Sequence, residues 1–119
     1  MAVKVYEYPK CSTCRKALKF LDGRGISYKK MDIVLTPPSK ADLKRMVKYY
    51  DGDFTKLFNT SGVVYRSMKL SQKVKSMTES EAIELLASNG MLVKRPFLLT
   101  EDVGLLGFRE EQWKSELKK

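Results

Sequence analysis

Polar and apolar residues alternate from Val3 to Tyr8 in the order V-K-V-Y-E-Y, and the run stops at Pro9. A period of two places Val3 and Val5 on one face of a strand, with the ring of Tyr6 or Tyr8 available to a core. From Ser12 the period changes. Ala17, Leu18 and Leu21 recur at helical spacing with Phe20 beside them, and Asp22-Gly23-Arg24-Gly25 supplies turn residues, which predicts a helix over 12–22. Another short strand is predicted around Tyr28 to Ile33. A strand, a helix and a strand make a βαβ unit, whose two strands run parallel because the crossover helix carries the chain back to its starting end.

Thr36-Pro37-Pro38-Ser39 interrupts the pattern, and Ser39 with Asp42 resembles a capping box that opens a helix bearing Leu43, Met46, Val47 and Tyr50, closed by Asp51-Gly52. A short helix is predicted over Asp53 to Phe58. A second box-like start at Thr78 and Glu81 precedes Ile83, Leu85, Leu86 and the stop Asn89-Gly90. Phe97 to Thr100 and Val103 to Phe108 read as strands around a turn at Glu101-Asp102, and a tight turn makes them antiparallel. A charged helix follows from Glu110, with Trp113 and Leu117 on one side. The expected architecture is α/β: a thioredoxin-like mixed four-stranded sheet with a helical insertion, about residues 38–90, between its second and third strands. Core positions are expected at Val3, Val5, Leu18, Leu21, Ile33, Phe97 and Leu99.

Composition narrows the chemistry. The 119 residues are 43% apolar and 31% charged, the balance of one globular domain, and no repeat or flexible linker divides the span 1–119. There is no histidine, which removes Ser-His-Asp and Cys-His catalysis. Two cysteines without histidine cannot supply the four Cys or His ligands of a zinc ribbon, and no metal is expected; no cofactor is expected either. The first ten residues carry Lys4, Glu7 and Lys10 with no apolar stretch of a signal peptide, and no run approaches a membrane span, so a cytoplasmic protein without a membrane is expected. In that reducing compartment a C-x-x-C pair is catalytic or redox-sensing rather than a permanent staple.

The formal charge of +9, from 23 Lys+Arg against 14 Asp+Glu, raises nucleic-acid binding. The lysines are scattered, however: Lys40, Lys44 and Lys48 along one helix face, then Lys69, Lys73, Lys75 and the terminal Lys118 and Lys119. Aromatic residues are not interleaved with them, so a solvated face is expected rather than direct, sequence-specific nucleic-acid recognition.

Cys11 falls just after the first strand at the expected N-cap of the first helix, where unpaired N–H groups and the positive end of the helix dipole favour a thiolate. Lys10, Arg15 and Lys16 add positive charge nearby, a setting that lowers a cysteine pKa from about 8.5 to about 3.5–7.5. Cys14, three residues on, is placed to resolve a mixed disulfide on Cys11. The competing reading makes the pair incidental, with one cysteine a small buried apolar residue. Pro96 is tolerated at the start of a strand, and Arg95 is either a solvated cation or an anion ligand.

Tyr8-Pro9-Lys10-Cys11-Ser12-Thr13-Cys14-Arg15-Lys16, Thr36-Pro37-Pro38, Arg95-Pro96 and Leu106-Gly107-Phe108 resemble, in order and separation, the ArsC/Spx family over nearly the whole chain. The match is to the Spx/ArsC-like branch that carries a C-x-x-C. The resemblance implies a thioredoxin-like fold with an all-helical insertion and makes Arg95-Pro96 the cis-proline turn facing the cysteine loop. It makes Cys11 the attacking thiolate, and Arg95 one of three arginines that hold an oxyanion in the family's arsenate reductases. The positions of the other two fall at Asn59 and around Gly107 or Phe108, with Arg109 only adjacent. One guanidinium and a helix N-terminus would hold a tetrahedral anion weakly. Glutaredoxin-dependent reductases of this type usually lack a cysteine at the position of Cys14, whereas redox-regulated Spx proteins have both. The resemblance therefore implies first a thiol-disulfide oxidoreductase, with glutathione, glutaredoxin or thioredoxin as its thiol donor. The alternative is an Spx-like regulator that binds the C-terminal domain of the RNA polymerase α subunit, although Tyr50-Asp51-Gly52-Asp53 matches that binding surface loosely. Arsenate reduction stands behind both.

Overall fold

The computed structural model describes residues 2–117; Met1 and the lysines 118 and 119 lie outside them. The elements are β1 (Lys4–Glu7), α1 (Ser12–Gly23), β2 (Lys29–Asp32), α2 (Lys40–Tyr49), α3 (Val63–Ser67), α4 (Leu70–Lys73), α5 (Glu79–Ser88), β3 (Phe97–Leu99), β4 (Gly104–Leu106) and α6 (Glu110–Glu116). Short 3-10 turns occupy Phe54–Leu57, Val74–Ser76 and Gly90–Leu92. One sheet runs in the order β2-β1-β3-β4. β1 and β2 are parallel, with Glu7 opposite Asp32, while β3 is antiparallel both to β1, with Phe97 opposite Tyr6, and to β4, with Phe97 opposite Leu106. The fold is the mixed four-stranded sheet that the βαβ start and the C-terminal hairpin require.

Strand alternation divides the core in two. Val3, just ahead of β1, and Val5 within it join Leu98 and Leu105 under α1 and α6, packed against Ala17, Leu21, Trp113 and Leu117. Tyr6, Phe97, Leu99 and Leu106 face the insertion and meet Leu43, Met46 and Val47 of α2 and Ala82, Ile83 and Leu86 of α5. Each fully buried side chain of this size contributes about 1.5–3 kcal/mol. The inner edge of the insertion is tight. A Cβ on Gly90 would lie 1.7 Å from the Ile33 carbonyl oxygen, so only glycine lets that turn approach the chain leaving β2.

Several details differ from the sequence pattern. Leu18 is half-buried beside the α1/α6 cluster instead of inside it, because Cys14, Ala17 and Leu21 form the stripe of α1 that meets the sheet. Thr78 and Glu81 form a complete capping box, but Ser39 and Asp42 form half of one. Ser39 Oγ accepts from the Asp42 N–H at 3.1 Å, while the buried Asp42 carboxylate turns to the sheet and accepts from Tyr6 OH at 2.8 Å and Lys4 Nζ at 2.9 Å. The predicted helix over Asp53 to Phe58 is a 3-10 turn, and α3 and α4 fill a stretch where the pattern predicts no particular element.

Because β3 runs against β1 and β4 against β3, three chain segments meet at one end of the sheet. They are the link from β1 to α1 with Cys11, the lead into β3 with Arg95, and the exit from β4 with Gly107 to Arg109.

Candidate active site

β1 ends at Glu7, and the chain turns through Pro9-Lys10 with the Cys11 N–H donating to the Tyr8 carbonyl at 2.9 Å. Cys11 is the N-cap of α1 in extended backbone (φ −93°, ψ 119°), and its side chain makes no capping hydrogen bond. Its sulfur therefore sits half-buried at a helix N-terminus whose first amides lack intrahelical partners. Cys14, one turn on, is fully buried against the sheet, and the Tyr8 N–H donates to its Sγ at 3.5 Å.

The two thiols titrate in opposite directions. Burial raises the Cys11 thiol, but the backbone N–H and thiol of Cys14 and the Arg95 guanidinium, acting by hydrogen bond and by charge, outweigh it and leave the pKa lowered. Burial pushes the Cys14 thiol up to about 12, with the Cys11 sulfur and the charge on Glu7 adding to it against the Tyr8 N–H. Cys11 is therefore the thiol of the pair that ionises first, and Cys14 the one that holds its proton to higher pH.

Arg95 is the cation that acts on Cys11. Its guanidinium lies 4.8 Å from the Tyr8 ring centroid and its Nη1 is 4.0 Å from Met91 Sδ, so ring and thioether hold it over the cysteine loop. The Arg95–Pro96 peptide bond is cis, and the buried Pro96 carbonyl accepts from the Gly107 N–H at 2.9 Å, tying the lead into β3 to the exit from β4. Lys10 and Arg15 are exposed, with no ion pair among the described residues. The buried stripe of α1 runs through Cys14, and Arg15, one residue on, is rotated about 100° from it toward solvent.

The remaining positions singled out for anion binding make contacts of their own. Asn59 is stitched into the insertion, its N–H donating to Leu92 O at 2.8 Å and its carbonyl accepting from Gly62 N–H at 3.0 Å. Phe108 packs edge-on to Trp113 at 4.9 Å on the α1/α6 face. Arg109 is the exposed N-cap of α6 and, with Lys56 and Lys94, lines a polar cavity of about 290 Å³ beside Thr55 and Thr60. Among the described residues no group of three or more His, Cys, Asp or Glu is placed to hold a metal, and no helix is long and apolar enough to cross a membrane.

Sequence reasoning passes over two residues at this end of the sheet. Lys94 lies next to Arg95, where nothing in the pattern separates it from other surface lysines. Glu7 is 3% exposed, and its signal was present: it continues the Val3, Val5 alternation and so belongs on a core face.

Comparison with known proteins agrees with the fold. The model of the ArsC family matches residues 6–115. The chain is 44% identical over 113 residues to the uncharacterised protein YusI of Bacillus subtilis, covering 95% of this chain and 96% of that one. It is 25% identical over 117 residues to the global transcriptional regulator Spx of Streptococcus pyogenes, covering 98% and 86%. Among solved structures, an ArsC family related protein from Bacteroides fragilis superposes with a TM-score of 0.90 at 46% identity, covering 97% of each chain.

Proposed function

The chain belongs to the ArsC family, and on that premise we propose that it is a cytoplasmic thiol-disulfide redox protein in which Cys11 attacks and Cys14 resolves. The observation that carries this reading is the opposed titration of two thiols within one helical turn, with Arg95 beside the first. The Cys11 thiolate attacks a sulfur of a substrate disulfide, forming a mixed disulfide and releasing the first substrate thiolate. Cys14 then loses its proton and attacks Cys11 Sγ, which forms the Cys11–Cys14 disulfide and releases the second substrate thiolate. Two electrons pass from the dithiol to the substrate. Glutathione, glutaredoxin or thioredoxin is the proposed donor that restores the dithiol. Arsenate reduction has less support, because Arg95 is the one family anion ligand beside Cys11 while Asn59 and Phe108 point to other tasks.

Two variants test the assignment. Cys11→Ser is expected to abolish disulfide reductase activity, and Cys14→Ser to accumulate a mixed disulfide on Cys11 that mass spectrometry detects. Full activity in Cys11→Ser would overturn it.

Similarity to Spx across most of the chain favours one further reading, a regulator whose cysteine pair switches binding to the C-terminal domain of the RNA polymerase α subunit. A pull-down with that isolated domain decides it. Absence of binding in both the reduced and the disulfide form removes the regulator reading.

A further inference from the structure

We propose that the groove between α1 and α6 docks an acidic segment of a protein substrate, the segment that flanks the disulfide Cys11 attacks; this rests on the thiol-disulfide reading above. Lys16 and Lys19 of α1, Arg24 at its C-cap and Lys114 of α6 line a groove of about 510 Å³, with the rings of Phe20 and Phe108 as its floor. Both rings are half-buried, with centroids 5.6 Å apart, and the Arg24 guanidinium lies 5.3 Å from the Phe20 centroid. Glu110 also lines the groove, but its carboxylate is paired with Lys114 at 3.3 Å. Lys16, Lys19 and Arg24 are exposed and carry no ion pair among the described residues. Three uncommitted cations over an aromatic floor complement a segment that mixes acidic with apolar residues, its carboxylates on the cations and its apolar side chains on the rings.

Helix geometry ties the groove to the sulfur. Cys11 is the N-cap of the helix that supplies Lys16 and Lys19, and Phe108 follows β4 at the end of the sheet where Cys11 sits. At a rise of 1.5 Å per residue, Lys16 lies about 7.5 Å and Arg24 about 20 Å along the helix from Cys11. An extended segment rises about 3.3 Å per residue, so a chain bonded to Cys11 reaches Lys16 about two residues from its own cysteine and Arg24 about six. A segment fits this arrangement better than a compact anion such as a nucleotide. The cations are strung over about 12 Å of helix, beside turns whose N–H groups are spent inside the helix, whereas a phosphate draws on convergent donors and the free amides of a helix N-terminus.

Docking precedes the chemistry. The Cys11 thiolate then attacks the substrate sulfur next to the acidic segment, the bond from Cys11 Sγ to that sulfur forms, and the substrate S–S bond breaks with its electron pair leaving on the other sulfur. The groove touches none of the reacting atoms. It acts on association: opposite charge speeds the encounter of acidic substrates with Cys11, like charge slows that of basic ones, and salt weakens both effects.

The test uses the reduced full chain and peptides whose single cysteine carries a 2-thiopyridyl group, a neutral leaving group that absorbs light once Cys11 attack releases it. Peptides with glutamates within about six residues of the cysteine should react about tenfold faster than their glutamine counterparts, as two or three exposed ion pairs allow, and should lose the advantage at high salt. Glutamates moved about twelve residues away should give no advantage. Lys19→Glu/Arg24→Glu should lose the preference while its rate with the neutral disulfide 2,2′-dithiodipyridine stays unchanged. Lys44→Glu/Lys48→Glu makes the same change of net charge on the exposed face of α2 and should keep the preference. Equal rates for near and distant glutamates, or equal loss of preference in the two double variants, would overturn the proposal. Thermal unfolding checks each variant; if the groove variant does not fold, near against distant glutamates in the wild type decides. AMP that raises the wild-type unfolding temperature in the absence of any acidic preference would assign the groove to a nucleotide, and a wild-type dimer that the groove variant dissociates would assign it to a second copy; either overturns the acidic segment. No thiopyridone release from any peptide or from 2,2′-dithiodipyridine would instead be a failure of the thiol-disulfide reading, so the two failures are distinguishable.

Discussion

At the scale of single residues, the Cys11 thiolate depends on a partner more than eighty positions away in the chain. Its pKa is lowered, so nucleophilic reactivity is present above the titration and is lost as the pH falls through it. Arg95→Ala removes a hydrogen bond and a positive charge from the sulfur. The titration should move toward higher pH, and alkylation by iodoacetamide below neutrality should slow about tenfold, the effect of one pKa unit on the thiolate fraction. Arg95→Lys keeps the charge without the planar fork and should fall between. A rate-pH profile for Arg95→Ala that overlies the wild type would contradict the role given to Arg95. The C-x-x-C spacing made the two thiols legible in the sequence, and the expected N-cap, which the structure has, pointed to Cys11 as the proposed nucleophile. Local charge pointed to Lys10, Arg15 and Lys16, whose side chains are exposed; the family resemblance pointed to Arg95, the cation that acts on Cys11. Glu7 was legible as a core-face position, because it continues the Val3 and Val5 alternation, although its charge pointed to solvent.

At the scale of elements, the helices longer than two turns could be read from spacing and caps, whereas α3 and α4, of five and four residues, are too short to show a period. The Ser39–Asp42 spacing signalled a helix start correctly, although Asp42 spends its carboxylate on Tyr6 and Lys4 instead of on the cap. The last helix shows what a charged sequence hides. α6 is exposed over most of its length, yet Trp113 and Leu117 are fully buried, and Trp113 Nε1 donates to the Gly107 carbonyl at 3.1 Å. That bond pins the exit from β4, whose Gly107 adopts φ +72° and donates its N–H to Pro96 O. Truncation before Glu110 should cost at least about 3 kcal/mol in urea unfolding, the low end for losing one buried tryptophan. Unchanged stability would contradict the packing of α6.

At the scale of the whole molecule, the fold brings the exits from β1 and β4 and the lead into β3 to one end and covers both faces, so the cysteine loop is held by elements distant in sequence. The parallel pair and the hairpin were legible because crossover and turn lengths force them. The strand order β2-β1-β3-β4 was not legible in the local pattern, which does not say which neighbour β1 takes on its second edge; the family resemblance supplied the thioredoxin-like sheet, with Arg95-Pro96 facing the cysteine loop. The positive charge divides accordingly. Lys40, Lys44 and Lys48 stay exposed on α2, while Arg95 is half-buried at the site. The central claim, that Cys11 and Cys14 exchange electrons as a pair, is tested most directly by equilibrating the protein in glutathione redox buffers and counting free thiols by mass. An intramolecular disulfide with a potential between about −180 and −280 mV, the range of exchangeable catalytic or sensing pairs, is the predicted result. No intramolecular disulfide at any poise would contradict the account.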